Sequence, residues 1–238
     1  RDQELTEIFR LLESGKDVIL VGEFGVGKTS IIEGLAQKMA AEDVPDILKD
    51  KRLVSLSIAG LIGGVTPDVA QARLIKVLNE IIQAKNIVLV VEDIKELTGI
   101  TIGGEQSLDL AEIFSHALSS RYFLAIATAS PRDYTQYIEK NNALGGIFAP
   151  VDIKELEKTQ AIQVCAIHTN SMEAKNQIYF SYTAIEQAVE LSIRFIHNQY
   201  LPQKAIGILE TAAVMVKKNK GRQAMVLEAD VAEIVSQI

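Results

Sequence analysis

Gly22-Glu23-Phe24-Gly25-Val26-Gly27-Lys28-Thr29 follows the apolar run Asp17–Val21 and leads into Ser30, Ile31, Ile32, Leu35 and Met39, spaced as one face of a helix. The octapeptide fits G-x-x-x-x-G-K-[ST], in the setting that pattern needs: strand, loop, then helix N-terminus. Glycines let the backbone turn tightly, so that successive N–H groups point at phosphate oxygens. The helix N-terminus adds its partial positive charge. Lys28 is then placed to reach the outer phosphates of a nucleotide, and the Thr29 hydroxyl to hold Mg²⁺. A Gly-rich turn with a stray lysine is the bland alternative, and the strand–loop–helix context argues against it.

Outward from this loop, apolar runs alternate with helical patterns over the first 155 or so residues. The runs are residues 17–21 (DVILV), 53–58 (LVSLSI), 87–91 (IVLVV), 123–128 (FLAIAT) and 150–153. Each is short, rich in branched aliphatics and apolar on both faces, which predicts strands of a covered parallel sheet. Leu74, Val77, Leu78, Ile81 and Ile82 repeat with helical period after the second run, and Leu110, Phe114, Ala117 and Leu118 after the third. Beyond about Glu155 the strands stop. Helical patterns follow at residues 161–166, at Ile185, Val189, Ile193 and Ile196, at Ala205 to Val216, and from Ala229 onward. The expected architecture is an α/β domain over residues 1–153 and a small all-α domain over residues 154–238.

The 238 residues suffice for a real hydrophobic core, and 48% apolar with 23% charged residues excludes disorder and collagen-like sequence. A net charge of −7 argues against a dominant nucleic-acid partner. The basic run at residues 217–222 (KKNKGR) reads as a solvated helix end. One cysteine, Cys165, allows no internal disulfide and points to a reducing, cytoplasmic compartment. No run is long enough to span a bilayer. The chain starts on Arg1 and stops directly after a helical stretch, so a module of a longer protein is expected.

A nucleotide site of this class needs an acidic residue at a neighbouring strand end, to hold the metal's shell and activate water. Glu92 and Asp93 follow the buried run at residues 87–91 and supply two carboxylates there. The weaker candidates have simpler accounts. Cys165 with His168 three positions on reads as a small buried hydrophobe beside a helix-end histidine. His116 and His197 sit alone in helical patterns without ligand spacing. Gly103-Gly104-Glu105 reads as a flexible loop.

With these features in hand, the chain resembles the first ATPase module of the Clp-type AAA+ protein unfoldases, ring-forming chaperones and protease partners. The resemblance covers nearly the whole chain. It rests on Arg1-Asp2, residues 22–37 (GEFGVGKTSIIEGLAQ), 133–144 (DYTQYIEKNNAL), 201–206 (LPQKAI) and 229–238 (ADVAEIVSQI). It implies a P-loop AAA+ fold, a five-stranded parallel sheet with a C-terminal small all-α lid. Such a module binds ATP with Mg²⁺ at the subunit interface of a ring, a hexamer in the full-length protein. The residues implied for the nucleotide are Gly22 to Thr29, Ser30 and, in the lid over the adenine, Ile162 and Pro202. Thr29 and Glu92 are implied for the metal. The implied partners are ATP and ADP, and a protein substrate or partner ATPase subunits; neither membrane nor nucleic acid is expected.

The departures fall on the working parts of that pattern. The family's strand-end pair is Asp then Glu; here Glu92 precedes Asp93. The exchange displaces each acid by about 1.5 Å, and misplacement of that order costs about a hundredfold in rate. Where the family carries arginines before the fifth strand, residues 143–148 read ALGGIF, and the nearest arginines are Arg132 and Arg121. An arginine finger is worth about 10³ to 10⁵ in phosphoryl transfer. Residues 60–68 (GLIGGVTPD), matching the pore loop, hold no aromatic residue, which leaves Leu61, Ile62 and Val65 on a mobile loop to touch a peptide weakly. Ser130, with Thr128 as a neighbour, falls where the family senses the γ-phosphate. These losses predict a module that binds MgATP and hydrolyses it weakly. The alternative is a non-catalytic, nucleotide-dependent scaffold that supports a second active ring or a partner.

Overall fold

The computed structural model describes residues 1–98, 110–237 and, as backbone alone, 100–101 and 107–108; Gly103-Gly104-Glu105 lies outside them. The chain divides into two units, Arg1–Gly22 with Lys28–Ile153 and Glu23–Gly27 with Lys154–Ile238.

The first unit is built on five parallel strands: β1 (Asp17–Val21), β2 (Arg52–Leu56), β3 (Ile87–Val91), β4 (Leu124–Ala129) and β5 (Phe148–Asp152), in the order β2-β3-β4-β1-β5. Its helices are α1 (Asp2–Glu13), α2 (Lys28–Ala40), α3 (Ile58–Ile62), α4 (Pro67–Ala84) and α5 (Leu110–Ser119). Both faces of the three central strands are covered, as their unbroken aliphatic sequence requires. Ile19, Leu89 and Ala127 are buried in one cluster with Leu74, Phe114 and Leu118, and the alternate residues Val18, Leu20, Val88, Val90 and Ile126 are buried too. Each such aliphatic side chain contributes about 1.5–3 kcal/mol on leaving water.

The second run differs from expectation. Its strand stops at Leu56, and Val54 stays 37% exposed because β2 is a sheet edge. Ser57 ends it by capping α3, its hydroxyl accepting the Gly60 N–H at 3.2 Å. α1, which the sequence reading passed over, buries Leu5, Ile8, Leu11 and Leu12 at helical spacing and packs against β1 and β5.

The second unit holds four helices, α6 (Lys158–Asn176), α7 (Tyr182–Phe195), α8 (Gln203–Lys220) and α9 (Glu228–Ser236), and a short parallel pairing of Tyr179–Phe180 with Met225–Val226. Its core is separate and joins Ala161, Cys165, Val189, Leu209, Val216 and Val231. Buried Lys204 is paired with Glu155 at 3.1 Å, and the same carboxylate accepts the Leu201 N–H at 2.7 Å, which fixes the entry to α8. In the basic run, α8 ends at Lys220, Gly221 turns at φ +85°, and Lys220 pairs with Asp230 at 2.7 Å. His197 lies just past the end of α7 rather than within a helix.

Candidate nucleotide site

β1 ends at Val21, in register with Ala129 of β4 on one side and Asp152 of β5 on the other. Gly22 still belongs to the sheet, its N–H donating to the Ala129 carbonyl at 3.2 Å. The chain then leaves the carboxyl edge. Gly25 and Gly27 take φ of +87° and +100°, a region that a Cβ makes costly. Val26 is buried, Glu23 is half-buried, and Phe24 is 86% exposed. α2 starts at Lys28, whose Nζ donates to the Gly22 carbonyl at 2.7 Å and so spans the loop from end to start. Ser30 is exposed in the first turn of α2.

The acidic pair divides at the end of β3. The Glu92 carboxylate accepts the Thr29 hydroxyl at 3.0 Å, across 63 residues of chain. Asp93 is held in a left-handed conformation (φ +49°), uncommon for a residue with a side chain, and its N–H donates to the Thr128 hydroxyl at 3.0 Å. Thr128 is buried near the end of β4, so the strand that flanks both β1 and β3 fixes the acidic turn. A hydroxyl and a carboxylate thus converge beside the loop, hard oxygen donors of the kind Mg²⁺ takes. The residues present fit that ion.

Ser130 caps a short helical turn, Pro131–Asp133, that continues as a π-helical segment, Tyr134–Ile138. Its hydroxyl donates to Asp133 Oδ2 at 2.7 Å and accepts the Asp133 N–H at 3.1 Å. Lys95, two residues beyond Asp93, donates to the same Oδ2 at 2.8 Å. Burial would raise the Asp133 carboxyl, but the hydrogen bonds from Lys95 and Ser130 outweigh it and hold the group below the usual carboxylate value. Sequence reasoning missed Lys95 and Asp133; their opposite charges stand 38 residues apart and meet only through the strand order.

The structure therefore gathers Gly22, Lys28, Thr29, Glu92, Asp93 and Ser130 at the carboxyl edge of the sheet in the first unit, the edge where open α/β folds bind ligands. Ile162 and Pro202 belong to the second unit, Ile162 at 6% exposure within its core and Pro202 buried just before α8.

The departures noted in the sequence take physical form. Arg121 donates to the Gly15 carbonyl, at the amino edge of the sheet and away from the loop. Arg132 is exposed on the turn after Ser130. In the stretch before β5, Leu144 is fully buried and the Asn141 side chain accepts the N–H groups of Ala143 and Leu144. Residues 60–68 are not a mobile loop throughout. Ile58 and Leu61 are buried by α3, and Pro67 already opens α4, so only residues 63–66 connect the two helices. Leu61 is a core residue and not one offered to a peptide. Cys165 is buried, which pushes its thiol up to about 11, while His168 is exposed. Among the described residues no group of three His, Cys, Asp or Glu side chains is placed to hold a metal. Nor is any helix long and apolar enough to cross a membrane.

A strand–loop–helix phosphate cradle with a carboxylate from the neighbouring sheet end defines a P-loop nucleotide-binding protein of the α/β class. Comparison with known proteins narrows this. Residues 18–140 match the model of the ATPase family associated with various cellular activities (AAA), and residues 157–237 the AAA lid domain. The chain belongs to that family, in its Clp-type branch. It is 35% identical over 220 residues to the ATP-dependent Clp protease ATP-binding subunit ClpC of Staphylococcus aureus, covering 91% of this chain and 27% of that protein. Against the chaperone protein ClpB of Wolinella succinogenes it is 34% identical, covering 91% of this chain and 26% of that one. The chain therefore spans only about a quarter of these relatives. Among solved structures, the Hsp104–ADP complex of S. cerevisiae superposes over 100% of this chain and 41% of its own, with a TM-score of 0.90 and 27% identity. An Hsp104–casein complex from the same organism gives a TM-score of 0.88 at 27% identity, with the same coverage.

Proposed function

We propose that this chain is the ATP-binding module of a Clp-type ring chaperone, one that binds MgATP and turns it over slowly. The observation that carries the reading is the meeting of Lys28, Thr29 and Glu92 around one loop at the carboxyl edge of the sheet. Lys28 and the loop N–H groups bind the phosphates. Thr29 and Glu92 hold Mg²⁺, which when bound neutralises charge on the phosphates. Asp93 orients water from a left-handed turn that Thr128 fixes. Ile162 and Pro202 serve the adenine. Slow turnover is supported by the Glu92–Asp93 order, by the arginine-free stretch at residues 143–148, and by Arg121 being committed to the Gly15 carbonyl. The domain arrangement proposed is residues 1–153 for the nucleotide and 154–238 for the lid. Assembly as a hexameric cytoplasmic ring acting on protein chains is proposed from the Clp and Hsp104 relatives.

The decisive measurement is nucleotide affinity beside steady-state turnover. Micromolar or tighter binding of ATP, lost by at least tenfold in Lys28→Ala, with turnover well below one per second, is the expected outcome. Turnover at the rate of an ordinary Clp module, abolished by the same substitution, would overturn the slow-turnover reading. The same pair of measurements treats the scaffold reading, which the arginine-free stretch also favours. Tight binding with no turnover above the Lys28→Ala background identifies a purely nucleotide-gated scaffold.

A further inference from the structure

Lys95 and Asp133 have no role in the reading above, and both bear on Ser130. Their placement is specific. Gly22 N–H on Ala129 O puts Ser130 one residue beyond a hydrogen bond to the first residue of the phosphate loop. Asp93 N–H on Thr128 Oγ1 puts the acidic turn on the other side of the same strand end. Ser130 therefore stands between the loop and the acidic pair, where the outer phosphate of a bound nucleotide must lie. A serine recognises a phosphate by donating its one hydroxyl proton. Here that proton is given to Asp133 Oδ2 at 2.7 Å, and the oxygen accepts the Asp133 N–H at 3.1 Å. The hydroxyl is used in both directions by a single residue. The carboxylate is in turn fixed by Lys95 at 2.8 Å, from the turn that carries Asp93.

We propose that Asp133, pinned by Lys95, is a positioning residue that holds the Ser130 hydroxyl off the outer phosphate and so blunts the preference of the site for ATP over ADP. The idea rests on the nucleotide-binding reading above. Carboxylate and phosphate are both anionic acceptors of charge-assisted hydrogen bonds, and Ser130 has one proton to give, so the phosphate must compete with Asp133 for it. A neutral residue at 133 relaxes that competition. It acts only where a third phosphate is present, because Ser130 lies at the end of the nucleotide that ADP lacks.

The test compares affinities of the whole chain for ADP and for a slowly hydrolysed ATP analogue, by titration calorimetry with Mg²⁺ present, in wild type, Asp133→Asn, Ser130→Ala and the double variant. Asp133→Asn is expected to raise the ratio of ATP-analogue to ADP affinity about tenfold, the worth of one charge-assisted hydrogen bond. ADP affinity should stay where it was. Ser130→Ala sets the background for the double variant, whose ratio should show no gain over it. Three outcomes overturn the proposal: an unchanged ratio in Asp133→Asn, a gain that persists without Ser130, or affinities for both nucleotides falling together, the signature of a merely structural cap. If wild type binds neither nucleotide, the nucleotide-binding reading fails and this inference with it. Binding of both with an unchanged ratio removes only the inference.

Discussion

Asp17 opens β1 as a buried residue, and its carboxylate accepts the Ala125 N–H at 2.7 Å, tying the start of β4 to the start of β1. Burial pushes its pKa from the ordinary 3.8 to about 6, against the opposing pull of the Ala125 N–H and the Arg121 charge. The direction decides the pH behaviour. Between about pH 4 and pH 6 the folded chain keeps a proton that the unfolded chain has released. Stability then falls as pH rises through that window and stays at the lower level above it. Asp17→Asn keeps an oxygen for Ala125 and loses the charge. Denaturant unfolding should show wild type losing up to about 3 kcal/mol more than the variant between pH 4 and pH 7, leaving the variant the more stable at neutrality. Parallel stability curves for the two would remove this account. Residues at this scale differ in how they announce themselves. Lys28 and Thr29 are legible because the loop is one contiguous stretch with fixed offsets. The Thr29–Glu92 hydrogen bond and the Lys95–Asp133 pair join positions 63 and 38 residues apart, and no local pattern encodes them.

Elements were read well where burial was complete and less well at margins. β1 and β3 match their apolar runs residue for residue, because both faces of each are covered and nothing polar interrupts them. The run at residues 53–58 carries a similar aliphatic content but splits, since Ser57 offers a helix cap and Ile58 and Leu61 can reach the core only on a helical turn. The same event removes Leu61 from the connecting loop. Helix ends in the second unit follow cap chemistry equally closely. Ser181 accepts the Ala184 N–H at 3.1 Å at the start of α7, and Glu157 and Gln160 form a capping box on α6. Ser181→Ala should cost about 1 kcal/mol in denaturant unfolding, and Ser181→Gly only a few tenths. Equal losses for the two would mean that the hydroxyl does something other than cap.

At the scale of the whole chain, the described residues form two hydrophobic clusters, one within the sheet unit and one within the helical unit. The second runs from Leu156 through α6 to α9, and the ion pairs Lys204–Glu155 and Lys220–Asp230 lie in the same unit. Residues 154–238 expressed alone are therefore expected to give a helical far-UV spectrum and a cooperative thermal transition; a featureless melt would show that this core needs the rest of the chain. The sequence by itself determined the α/β class, the positions of the central strands, the phosphate loop and the acidic strand end. Each is written in a contiguous run whose period or spacing is its own signal. The tertiary structure alone decided the order β2-β3-β4-β1-β5, and with it which strand becomes an exposed edge and which polar groups share the carboxyl edge. It also committed Ser130 to Asp133 and Arg121 to the far end of the sheet. Strand order is set by long-range packing, and a hydrogen bond between distant residues exists only once that packing has brought its partners within 3 Å or so.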